Sequence, residues 1–189
     1  MIFLLMTALI AAPGSARARP APQGSAPQQQ QLSDVELRER VEAYLGTIDR
    51  PVPAVRWKAL GPSAAPLLEA VIADEAQFPS RRAKALDGLV AAAPERAAAI
   101  VGKLARDEKQ PGVVRVAAMH GAAQVYPSSR VRRELRPVLQ GARSTGMRAV
   151  AADLIATKKG GCTEVRDQVA REKVEHRGAF ERAMKRCTE

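Results

Sequence analysis

Four arginines punctuate the middle of this 189-residue chain: Arg56, Arg82, Arg115 and Arg148, separated by 26, 33 and 33 residues. Arg56-Trp57-Lys58-Ala59-Leu60 matches Arg82-Ala83-Lys84-Ala85-Leu86 at four of five positions. Arg115-Val116-Ala117-Ala118-Met119 and Arg148-Ala149-Val150-Ala151-Ala152 continue the theme. Pro53, Pro79 and Pro111 stand three or four residues ahead of the first three arginines, and Asp74-Glu75 and Asp107-Glu108 begin eight residues ahead of Arg82 and Arg115. A period in this range marks a stacked-repeat architecture, in which no unit buries its apolar face alone.

The physics of one unit follows from helical spacing. Counted from each arginine, positions +3, +4, +7 and +8 share a helix face. They are Ala85, Leu86, Leu89 and Val90, then Ala118, Met119, Ala122 and Ala123, then Ala151, Ala152, Ile155 and Ala156. Small residues there let neighbouring helices approach closely. A second helix follows in each unit. Pro66 opens Leu67, Leu68, Val71 and Ile72, and Pro94 opens Ile100, Val101 and Leu104. Ser128 or Ser129 is expected to cap a helix carrying Val131, Leu135, Val138 and Leu139. Proline is tolerated in a first turn because the amide it lacks has no helical partner there. Ahead of the repeats, Ser33 and Glu36 form a capping-box pattern, followed by Leu37, Val41, Tyr44 and Leu45 and stopped by Gly46.

Composition agrees. A hydrophobic fraction of 46% excludes disorder throughout, and 3% aromatics in a chain rich in Ala, Leu, Arg and Glu excludes an all-β fold.

The pattern resembles HEAT repeats, in particular the short HEAT-like repeats also found in phycobilisome lyases. The resemblance rests on Val55-Arg56 through Leu60-Gly61, on Ala65-Pro66-Leu67-Leu68, and on Pro111-Gly112-Val113-Val114-Arg115-Val116-Ala117-Ala118, and covers roughly residues 51–157. It implies an all-α fold: an α-solenoid of about four HEAT-like helical pairs over residues 32–160, with an N-terminal helix and a C-terminal helical cap over 161–189. In such repeats a turn Asp and the following Arg form a polar ladder. The resemblance therefore implies that Asp74, Arg82, Asp107 and Arg115 hold repeat to repeat, with Arg56 and Arg148 in the same register. Near the expected place before Arg148 there is no Asp, only Gln140 and Gly141.

The ends have their own signatures. Ile2 to Ala12 is uncharged and mostly apolar, and small residues at Gly14/Ala16 or Ala16/Ala18 suit signal-peptide cleavage. The run is shorter than the roughly 20 residues that span a bilayer. No Lys or Arg precedes it, so a misplaced start or a buried first helix is the alternative to a leader over 1–18. Residues 19–31 are rich in Pro and Gln and read as a flexible linker. The expectation is an exported protein, periplasmic or secreted, with no transmembrane segment in the mature chain.

Export bears on Cys162 and Cys187, since two cysteines in an oxidising compartment usually pair. A continuous helix between them would separate them by about 37 Å at 1.5 Å per residue, whereas a disulfide needs Cα atoms within about 7 Å. Pairing therefore predicts a reversal around His176-Arg177-Gly178, with Thr163 as N-cap of the first arm. The alternative is two unbonded cysteines on one straight helix.

Charge is polarised along the chain. The net is +10, yet residues 32–77 carry five basic and eight acidic side chains, and the excess of +11 lies beyond residue 77. The densest patch is Arg130, Arg132, Arg133 and Arg136, where Arg132 and Arg136 are expected to project together into solvent. Such a patch suits an anionic polymer, whether envelope glycan, lipid head groups or nucleic acid. Likeness to HEAT-like DNA glycosylases extends to fold and charge only. The carboxylates Glu164, Asp167, Glu172 and Glu175 alternate with Arg and Lys and read as a solvated helix. No phosphate-cradling glycine motif is present, and His120 and His176 have no partners at metal-ligand spacing. No catalytic constellation, metal site or cofactor is expected. The sequence points to a non-enzymatic scaffold that binds a protein or peptide.

Overall fold

The computed structural model describes residues 32–47 and 50–187; the expected leader (1–18) and linker (19–31) lie outside the described residues. Among the described residues every regular element is helical. Helix α1, Asp34–Leu45, starts on the expected capping box: the Ser33 amide donates to Glu36 Oε2 at 2.9 Å, and the Glu36 amide donates to Ser33 Oγ at 3.3 Å. Its buried stripe is Leu37, Val41 and Leu45. Tyr44 packs edge-on to Trp57, ring centres 5.1 Å apart, and Trp57 lies in α2, Ala54–Leu60.

Further helices then follow over the segments where helical spacing was read. A 3-10 turn at Pro62–Ala64 leads into α3, Ala65–Ala73. Next come α4, Pro79–Ala92, and α5, Pro94–Arg106, then α6, Gly112–Val125, and α7, Ser128–Gly141. The arginine-led helices pack in series, α2 on α4, α4 on α6, and α6 on α8, Thr145–Ala156. Helix α5 lies against α4, α6 and α7. The faces read from spacing are interior: Ala85, Leu86, Leu89, Ala118, Met119, Ala122, Ala151, Ala152, Ile155 and Ala156 are wholly buried, and Val90 nearly so. Ala123 is half-buried. Two glycines set how closely these helices meet. Gly88 and Gly121 both stand six residues after their unit's arginine. A Cβ added at Gly88 would lie 2.9 Å from the Trp57 ring, and one at Gly121 would lie 2.9 Å from Val90.

Two expected caps differ. The Pro127 backbone, extended at φ −64° and ψ 155°, leads directly into α7, so Ser128 and Ser129 are inside the helix rather than capping it. Helix α9, Cys162–Arg171, begins one residue before Thr163, because Gly160-Gly161 completes the preceding turn.

The chain does reverse after α9, but at Glu172-Lys173 rather than at His176-Arg177-Gly178. Gly178 sits inside α10, Val174–Met184. The turn needs no glycine because Glu172 points inward and Arg177 Nε donates to its carbonyl oxygen at 3.0 Å. Helix α10 packs on α8 and α9 through buried Phe180 and Ala183, and Arg186 Nη1 holds both Asp153 oxygens at 2.7 and 2.5 Å.

Candidate functional site

Arg82, Arg115 and Arg148 stand in the first turns of their helices, beside the ends of preceding ones. Arg82 is buried at the start of α4, where its Nε donates to Ile72 O at 2.9 Å. Ile72 is near the C-terminal end of α3, where carbonyls have lost their helical donors. Arg82 Nη2 reaches forward to Gln110 Oε1 at 2.9 Å, and Gln110 Nε2 is held by Asp107 Oδ2 at 3.2 Å. Arg115 repeats the backward half: its Nε donates to Ala105 O at 3.2 Å, again ten residues upstream.

The aspartates act within their own turns. Asp74 accepts from the Ala76 amide and Gln77 Nε2, and Asp107 from the Lys109 amide and Gln110 Nε2. Those hydrogen bonds, from Gln77 foremost for Asp74 and from the Lys109 amide for Asp107, hold both carboxyls below the usual aspartate value. The expected Asp–Arg ladder is thus an Arg–Gln–Asp relay at Arg82. Arg56 stands apart, exposed on α2.

Arg148 shows the fullest arrangement, and it repairs the rung that lacked an Asp. All five of its N–H donors are used. Nε and Nη2 grip Glu172 at 2.6 and 2.7 Å, Nη1 meets Ala142 O at 2.8 Å and Arg143 O at 3.3 Å, and Nη2 also reaches Thr145 Oγ1 at 3.1 Å. Gln168 Nε2 adds a bond to Glu172 at 2.7 Å. The hydrogen bond from Arg148, above all, holds the Glu172 carboxyl below its ordinary value. Glu172 is therefore a buried latch for the C-terminal hairpin and not part of a solvated helix. Its partner lies 24 residues upstream in another helix, so the local charge alternation gave no sign of it.

Glu164 departs from the solvated-helix expectation in the same way, and with it the basic patch. Arg132 Nε bonds Glu164 Oε1 at 2.8 Å, while Arg136 bonds both its oxygens at 2.8 and 3.1 Å. Burial alone would raise the Glu164 carboxyl; the bonds from Arg136 and Arg132 outweigh it and hold the group lowered. Arg132 and Arg136 do project together and both meet Glu164 on α9, Arg132 half-buried there and Arg136 still exposed to solvent. Arg130 lies over the Tyr126 ring at 3.9 Å, and Arg133 is the most exposed of the four. Corresponding ion pairs run back along the second helices, Arg106 with Glu134 from α5 to α7 and Arg96 with Glu69 from α5 to α3.

Grooves follow the turns. One of about 580 Å³ runs between the α7–α8 and α9–α10 turns, lined by Arg143, Arg148, Arg171, Glu172, Lys173 and His176 among others. It shares Arg143 with a groove of about 360 Å³, which shares Glu108 and Arg115 with one of about 220 Å³. A further groove of about 470 Å³ lies over Arg82.

His120 is exposed on α6. Cys162 and Cys187 lie near each other; Cys162 Sγ lies 3.9 Å from Ala156 O and Cys187 Sγ lies 3.8 Å from Met184 Sδ. Among the described residues, no group of three or more His, Cys, Asp or Glu is placed to hold a metal ion, and no helix is long and apolar enough to cross a membrane. Comparison with family models, with curated proteins and with solved structures finds no match for this chain.

Proposed function

We propose that residues 32–187 form a HEAT-like α-solenoid of four helical pairs, α2–α3, α4–α5, α6–α7 and α8–α9, flanked by α1 and capped by α10. Its proposed role is that of an exported, non-catalytic scaffold that binds a protein or peptide along its turns. The observation that carries this reading is the repeated junction: Arg82 and Arg115 both bond a carbonyl ten residues upstream, at the end of the preceding helix. Ion pairs linking α3, α5, α7 and α9 in series support it. The grooves among these turns are open and mixed in polarity, which suits an extended partner better than a small substrate. In an exported protein the nearby Cys162 and Cys187 are expected to join and pin the end of the hairpin to the start of α9.

Photocrosslinking in the native host tests the reading. A photoreactive residue at Arg143, on the groove edge, should yield a discrete crosslinked partner, whereas one at exposed Val35 on α1 should not. Equal crosslinking at both sites, or none at Arg143, would count against the scaffold.

A further inference from the structure

The periodic arginines Arg82, Arg115 and Arg148 are not equally served. Arg82 finds Gln110 Oε1 ahead of it, and Arg148 finds the Glu172 carboxylate. Arg115 is only 7% exposed, yet among the described residues its side chain makes one hydrogen bond, from Nε to Ala105 O. The outer edge of its guanidinium, Nη1 and Nη2, meets no acceptor there and borders the grooves of about 220 and 360 Å³.

The sequence register explains why. Gln77 and Gln110 each stand five residues before their unit's arginine, and Gln110 is what Arg82 bonds. Five residues before Arg148 stands Arg143, which carries no acceptor in its side chain. So the place that serves Arg82 with an amide oxygen presents Arg115 with a second cation.

From these observations we infer that Arg115 takes its acceptor from a partner: the carboxylate of an Asp or Glu in an acidic segment lying in the groove between the α5–α6 and α7–α8 turns. This rests on the scaffold reading and names the chemistry of its partner. A guanidinium anchored through Nε, with its outer edge open to a groove, favours a planar, charged, two-oxygen acceptor, because paired N–H donors match it in geometry and charge. Both flanking rungs are met by planar sp² oxygens, an amide at Gln110 and a carboxylate at Glu172. The surroundings are cationic on balance. Lys109 and Arg143 line the same groove, and Ser144 adds a hydroxyl. Glu108 is the opposing charge; it sits 3.6 Å from Arg143 Nε, accepts from the Arg143 amide at 3.5 Å, and belongs to Arg143 rather than to Arg115.

The test is fluorescence anisotropy of a labelled hexaglutamate peptide titrated with the full chain. Arg115→Gln keeps a polar side chain there but removes the charged fork, and should weaken binding about tenfold or more. Arg133→Gln, which removes an equally charged but exposed arginine, should change it less than twofold. Should Arg115→Gln fail to fold, Arg143→Glu places a competing carboxylate on an exposed turn and should cause a similar loss, with Arg133→Glu as its control. Equal losses at positions 115 and 133, or at 143 and 133 in the second pair, would mean a diffuse basic surface and overturn the inference. No peptide binding by the wild type would also overturn it, as would Arg115-dependent binding of inorganic phosphate tighter than that of the peptide. A crosslinked partner whose capture ignores Arg115→Gln would leave the scaffold standing and remove this site alone.

Discussion

A buried arginine is held by what its five donors can reach, and Arg148 reaches five acceptors on three elements. Its side chain is 16% exposed and that of Glu172 only 4%, so removing either charge leaves the other poorly solvated. Glu172→Ala should therefore cost about 3 kcal/mol of unfolding free energy in a denaturant titration. The pH dependence has a definite sign. Because Glu172 and Glu164 titrate below their usual 4.5 when folded, they bind fewer protons than in the unfolded chain. Their contribution is fully present above about pH 5 and is lost as the pH falls through the folded-state values. Wild-type stability should decline below that point, and Glu172→Ala should decline less steeply. An unchanged slope in the variant would show that Glu172 is not held as described. At this scale the sequence was informative about arginines and poor about their partners. Arg82, Arg115 and Arg148 stand out by period, whereas Glu172 and Glu164 look like ordinary members of an alternating charge run.

Helices met their sequence signals best where apolar spacing and a cap coincide. The Ser33–Glu36 box and the faces led by Arg82, Arg115 and Arg148 are local patterns, and folding preserves them. The Gly178 turn failed because glycine marks a break only when nothing else fixes the chain; here an inward-facing Glu172 sets the reversal six residues earlier. Gly178→Ala follows as a stabilising change of about 0.5–1 kcal/mol, since a Cβ there meets nothing nearer than an Arg182 nitrogen at 3.8 Å. Gly88→Ala should do the reverse, costing about 1–3 kcal/mol as its methyl group presses on Trp57. Thermal melts of the two variants should shift in opposite directions, and a lowered melting temperature for Gly178→Ala would count against its place inside α10. Between elements, Glu164→Gln should release Arg132 and Arg136, lowering the melting temperature while increasing retention on an anionic matrix at low salt. Unchanged retention would mean that Glu164 does not neutralise these arginines.

At the scale of the whole molecule, the all-helical character of the described residues was legible because helix formers, spacing and proline placement all agree. The grooves were not legible, since they arise between turns that lie some 30 residues apart in sequence. One device recurs among the described residues: Arg82, Arg115 and Arg148 each reach back to a carbonyl at the end of the preceding helix, and Arg82 and Arg148 also reach forward to a side-chain acceptor. Arg82 and Arg148 complete it within the chain, and Arg115 stops at the backward half. Nitrogen-15 NMR of the guanidinium groups tests that difference most directly, because a fork held at both ends rotates slowly about its Nε–Cζ bond. Arg82 and Arg148 should show slow rotation in the isolated protein, with Arg115 rotating freely and slowing only when hexaglutamate is added. An Arg115 as restrained as its neighbours in the isolated chain, or one that the peptide leaves unchanged, would contradict the repeated-junction account and its open rung.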